Sequence, residues 1–194
     1  MTQTQILVLI GVCLLVAIAV GVVLSMRRHQ TAKLRQRFGP EYGRTVERVG
    51  DRVKAESELR ERERRVARLR IEPLAPAEAA RFDEAWKAVQ SRFVDNPTAS
   101  LAEADDLIRK LMAKRGYPVG DFEARAADVS VDHPRVVENY RQAHSIAVRH
   151  QRGESNTEDL RRALIHYRAL FDELLEVGAV HQPAHASPIA GAKP

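Results

Sequence analysis

The chain has 194 residues, 44% of them apolar and 29% charged, with a formal net charge of +5, which leaves room for one modest domain and its attachments. Its single cysteine, Cys13, lies inside an apolar run, so no disulfide can form within one chain. From Arg27 to Arg70 there are 15 Lys/Arg against 7 Asp/Glu, whereas Ile71 to Gly178 holds 15 against 19. The basic excess therefore avoids the C-terminal part, which argues against a folded nucleic-acid-binding domain.

Ile6 to Met26 is 21 residues without a charge, about 31 Å as a helix and a match for a hydrocarbon core of about 30 Å. The preceding "MTQTQ" has no basic side chain and "VVLSMRR" offers no good cleavage site, so a retained anchor is expected rather than a secretory signal. Val12 before Cys13 also fails the small residue that a lipoprotein signal needs. Arg27, Arg28, Lys33, Arg35 and Arg37 follow the span before any acid. Positive flanks stay in the cytoplasm, so the N-terminus is expected outside and the remaining chain inside. The same five side chains face the anionic headgroups of the inner leaflet. Cys13, Ala17, Gly21 and Ser25 recur every four residues, a small-residue face along which two anchors could pack as a homodimer.

"RFGPEY" interrupts whatever helix leaves the membrane, because Pro40 starts a helix better than it continues one. Tyr42, Val46, Val49 and Val53 then form an apolar seam shorter than the three or four heptads of a clear coiled coil, so coiled coil and single helix stay open for this stretch. "DRVKAESELRERERR" is charged at 11 of 15 positions, with Glu56/Arg60, Glu58/Arg62 and Glu61/Arg65 in the favourable i, i+4 order. A charged helical stalk of about 45 Å is predicted, within a basic juxtamembrane segment spanning 27–72. Pro73 and Pro76 end it.

Four helical periodicities follow. They are Phe82, Trp86, Val89 and Phe93; Leu101, Ala104, Ile108, Leu111 and Met112; Val137, Tyr140, His144 and Ala147; and Leu160, Leu164, Tyr167, Phe171 and Leu174. "DFEARAAD", capped by Asp121, adds one short helix, and Ser155 with Glu158 has capping-box spacing. No stretch shows strand alternation. The expected fold is all-α: a transmembrane helix at 6–26, the stalk, a cytoplasmic helical bundle at 73–178, and a disordered Ala/Pro-rich tail at 179–194.

Chemistry is sparse. No HExxH, CxxC, P-loop, GxGxxG or GxSxG occurs. His144 and His166 fall on or beside the core face of their helices. His181 and His185 have i, i+4 spacing without carboxylate or thiolate support, so neither a metal nor a cofactor is expected. Asp105–Asp106 and Glu158–Asp159 are accounted for by solvation and helix dipoles. The connection "RGYPVGDFEARAADVSVDHP" stands out: it is either a structured crossover with Tyr117 and Phe122 plugged into the core, which is the first choice, or a binding surface, for which Tyr117, Asp121, Phe122, Asp132 and His133 are the candidate partner-binding residues.

The anchor, then "RFGPEYGRTVERVGDR", then "RGYPVGDFEARAADVSVDHPRVVENYRQAH", resembles a group of uncharacterised small bacterial single-span inner-membrane proteins with no assigned activity. The resemblance implies a bacterial inner-membrane setting and carries no chemistry. The expected role is a membrane-tethered helical module that docks a protein partner. The alternatives are an enzyme using the 116–134 loop, and nucleic-acid binding through the Arg-rich stalk.

Overall fold

A computed structural model describes residues 3–176, with the side chains of 3–10, 12, 13, 16, 17, 23, 27 and 176 outside the described set. The described residues form eight helices and no strand: α1 Gln3–Phe38, α2 Pro40–Val49, α3 Arg52–Val66, α4 Pro76–Arg92, α5 Pro97–Arg115, α6 Phe122–Asp132, α7 Val137–Gln151 and α8 Thr157–Glu176. The chain divides into two compact units, Met1–Glu61 and Arg62–Pro194.

In the first unit, α1 continues through the basic flank because nothing in it breaks a helix until Gly39, whose φ of 50° begins the turn. Pro40 occupies the first turn of α2. The expected single stalk is then broken. Gly50, in the left-handed conformation at φ 71°, donates its N–H to Val46 O and closes α2. Asp51 Oδ1 accepts from the Lys54 N–H at 2.9 Å at the start of α3. Thr31 Oγ1 donates to Glu56 Oε1 at 2.8 Å, although a straight helix would hold residues 25 apart about 37 Å from each other. Within this unit the first part of α3 therefore lies beside α1, and 41–61 is not an extended rod. The apolar seam is split too: Tyr42 is buried on α2 while Val53 on α3 is 69% exposed, which removes the coiled coil.

Rewired ion pairs accompany this turn. Glu56 pairs with Arg52, Arg60 reaches the Gln30 amide, and Arg48 meets Glu58.

Among the described residues no helix is long and apolar enough to cross a membrane. Ten of the 21 side chains of the span expected at 6–26 lie outside the described set, and the tail expected at 179–194 lies outside it altogether.

The second unit carries the four main helices and one short helix that the periodicities predict. Pro76 and Pro97 sit in the first turns of α4 and α5, and Asn96 Oδ1 caps α5 by accepting from the Ala99 N–H. Asp121 Oδ1 caps α6 in the same way. The cap of α8 falls one residue later than the spacing suggested. Asn156 and Asp159 exchange reciprocal bonds, Ser155 instead meets His150 Nδ1 at 3.0 Å, and Glu158 holds Arg161. α8 packs against α5 and α7, with α4 against α5. Trp86, Ile108, Leu111, Met112, Tyr140, Tyr167, Phe171 and Leu174 form the fully enclosed centre, while Phe82, Phe93 and Ala147 pack at its margin.

Candidate functional site

Within the 20-residue connection the short helix expected at "DFEARAAD" forms and continues to Asp132. Only Gly116–Asp121 connects α5 to α6, and Arg125–Val131 is an unbroken buried run. The five candidate residues separate into three places. Asp121 spends its carboxylate on the α6 cap. Phe122 stacks on His144, ring centroids 3.6 Å apart and 9° from parallel, and tilts against Tyr140. Tyr117, Asp132 and His133 come together.

That trio lines a cleft of about 380 Å³ with Ile71, Pro73, Arg115 and Glu173. Tyr117 Oη donates to Asp132 Oδ2 at 3.0 Å, and His133 Nδ1 lies 3.2 Å from Glu173 Oε1. Tyr117 and His133 are each 3% exposed. Arg115 stitches the cleft's floor: its Nη1 donates to Leu174 O at 2.8 Å, and the Arg115 carbonyl accepts from the Glu72 N–H at 2.9 Å. Burial pulls the Arg115 guanidinium below its usual range, partly offset by Tyr117, Asp132 and Glu173. Burial, reinforced by the Asp132 carboxylate, pushes the Tyr117 phenol well above its ordinary value. A phenol held so firmly in its protonated form is a hydrogen-bond donor and not a base poised for neutral pH. The arrangement suits recognition better than proton transfer.

A second polar cluster was missed because Asp105 reads as solvent-facing in sequence. Tyr167 Oη, from the core, donates to Asp105 Oδ1 at 3.2 Å. Arg109 Nε lies 3.2 Å from Asp105 Oδ2 but is not aligned for a hydrogen bond. Arg125, on the neighbouring helix, donates Nε to Tyr140 Oη at 2.9 Å. Burial lowers His144, against the pull of Asp105, and so favours its neutral ring. No spacing rule links residues 62 apart in the chain, so only the fold reveals the Asp105–Tyr167 pair.

The tyrosines give a pH prediction. Burial raises Tyr117, Tyr140 and Tyr167 above their ordinary value of 10.0. A raised folded-state value contributes stability that is complete below the unfolded value and lost as pH climbs beyond it. The melting temperature of the second unit should therefore hold up to about pH 10 and fall steeply above it. Absorbance at 295 nm should show these phenols ionising together with unfolding. Free titration of Tyr117, Tyr140 and Tyr167 in the folded chain would contradict the buried network. Tyr117→Phe should cost about 1 kcal/mol at neutral pH.

Among the described residues no three His, Cys, Asp or Glu side chains are grouped to hold a metal ion. His181 and His185 lie outside those residues, as do the side chains of Cys13 and Ala17. Gly21 and Ser25, the other half of the expected anchor face, are exposed, and a Cβ on Gly21 would meet nothing within 4 Å. His166 Nδ1 meets Asn139 Oδ1 at 3.0 Å, a structural partner. Several stalk arginines are committed to carboxylates, including Arg48, Arg52 and Arg65, the last to Asp128 Oδ1 at 2.6 Å, which leaves less charge for a nucleic-acid backbone. Comparison of the chain with protein-family models, curated proteins and solved structures finds no match in any of the three.

Proposed function

We propose that the chain is a membrane-tethered interaction module. Residues 6–26 of α1 cross the inner membrane with the N-terminus outside, and the helical domain docks a protein partner in the cytoplasm. One observation carries the anchor. Leu14, Leu15, Ile18, Val20, Val22, Leu24 and Met26 are each 50–68% exposed along α1. At 100° per residue they spread around more than half of the helix, with no polar face opposite. Leaving each such side chain in water forgoes about 1.5–3 kcal/mol, and acyl chains remove that cost over a length matching a bilayer. The Arg27–Arg37 charges set the orientation.

The docking role rests on the cleft of Tyr117, Asp132, His133 and Glu173, which presents fixed donors and acceptors beside Ile71 and Pro73. Affinity capture of the full chain from detergent extracts, compared with a version lacking residues 76–178, tests this role. Partners should be lost with the deletion. A captured set unchanged by it would overturn docking through the helical domain.

A further inference from the structure

The first unit holds a cleft of about 390 Å³ between α1 and α3, bordered by Arg28, Arg52, Arg60, Leu24 and Val53. We propose that this cleft binds the phosphate headgroup of one anionic membrane lipid, with an acyl chain running along Leu24 and Val53; the lipid as occupant rests on the membrane anchorage of α1 proposed above.

Two of the three cationic groups are held in place. Glu56, also at the cleft, accepts from Thr31 Oγ1 at 2.8 Å, Tyr42 Oη at 2.9 Å and Arg52 Nε at 3.1 Å. One carboxylate thus ties α1, α2 and α3 together and fixes the Arg52 guanidinium. Burial pushes the Glu56 carboxyl up, but these hydrogen bonds and the Arg52 charge outweigh it and bring it below its usual range. Arg60 Nη1 rests on Gln30 Oε1 at 3.3 Å. Arg28 is exposed and has no ion pair among the described residues. A guanidinium carries five N–H donors, so each arginine keeps donors to spare. Three positive charges against one carboxylate leave an excess that a phosphate diester would balance through charge-assisted hydrogen bonds. Because Arg52 and Arg60 are positioned before the ligand arrives, only Arg28 has to be ordered on binding.

The surroundings specify a lipid. Arg28 follows Met26 by two residues, about 3 Å along the helix, which puts it at headgroup depth. Leu24 is 50% exposed and Val53 is 69% exposed. Two apolar side chains facing outward beside a cationic cleft fit an amphiphile better than a free anion. A diffuse basic flank would respond to the number of charges alone, whereas this cleft depends on which arginines carry them.

Native mass spectrometry of the full chain, released from nonionic detergent containing phosphatidylglycerol, tests the site. One lipid should be retained per chain, and phosphatidylcholine should not replace it. Arg28→Gln should lower occupancy about fivefold, and the triple change R28Q/R52Q/R60Q should abolish it. The triple R64Q/R68Q/R70Q, with the same loss of charge at exposed positions, should retain the lipid. Equal loss in both triples, or equal retention of phosphatidylcholine, would overturn the proposal. Displacement by millimolar inorganic phosphate would assign the cleft to a free anion instead. Should the triple variant misfold, Arg28→Gln alone decides, because Arg28 holds no other element in place. Alkaline carbonate extraction separates the two claims: R28Q/R52Q/R60Q should remain in the membrane pellet while losing its lipid. Release of the wild-type chain would overturn the anchor, and with it the lipid as occupant.

Discussion

Gly116→Ala should destabilise the helical domain by about 4 kcal/mol, the sum of backbone strain and overpacking. Gly116 ends α5 with φ 96°, where any Cβ is strained. A Cβ there would also stand 2.1 Å from the Arg70 carbonyl oxygen, which is backbone and cannot swing aside. The strap from Arg70 to Leu74 lies against the end of α5 through the Glu72 N–H bond to Arg115 O. The substitution would therefore also displace Ile71 and Pro73 from the cleft beside Tyr117. Gly153→Ala separates the two contributions. Its φ is 75°, but nothing lies within 4 Å of its Cβ position, so only about 1–2 kcal/mol is expected. Thermal unfolding of the full chain in detergent, followed by Trp86 emission, measures both. Equal costs for the two variants would show that Arg70 does not approach Gly116 closely.

Phe171→Ala should cost about 4 kcal/mol, as large-to-small changes at enclosed aromatics do. Phe171 is 0% exposed and stacks on Trp86 with centroids 4.6 Å apart at 26°. The Arg168 guanidinium lies over both rings, 5.6 Å from Trp86 and 5.8 Å from Phe171. Removing the ring opens a cavity against an indole whose Nε1 has no hydrogen-bond partner. Water entering that cavity would shift Trp86 emission to the red. Phe171→Leu should refill most of the volume, keep the emission blue, and cost less than about 2 kcal/mol. Similar losses for Leu and Ala, without a red shift, would mean that the α4–α8 stack is not the centre of the core.

The helices of the second unit are legible in the sequence for a physical reason. Each has to bury one face, and Leu160, Leu164, Tyr167, Phe171 and Leu174 repeat at the helical period because that face meets α5 and α7. The turn of α3 onto α1 is less legible. Its local signal, Gly50 followed by Asp51, sits inside a charged stretch whose i, i+4 pairs predict one straight helix. Its stabilising bonds join Thr31 and Tyr42 to Glu56, and hydrogen bonds between distant residues have no period to detect. The candidate site is mixed in the same way. Arg115, Tyr117, Asp132 and His133 all belong to one short stretch of the sequence and meet in space, whereas Glu173 arrives from α8. Phe122 and Asp121 leave the site for roles that their sequence positions already allow, one packing against Tyr140 and His144 and the other capping α6. The Arg28, Arg52 and Arg60 cleft exists only because the chain folds back.

The central claim is that α1 crosses the membrane and delivers everything after Met26 to the cytoplasm. Fusing reporters to the C-terminus of the full chain tests it most directly. Alkaline phosphatase, which needs an oxidising compartment for its activity, should be inactive there, and a fluorescent protein should be bright and remain with the membrane fraction. An active phosphatase fusion would place the helical domain on the other side of the membrane. A fluorescent fusion recovered in the soluble fraction would contradict the anchor itself.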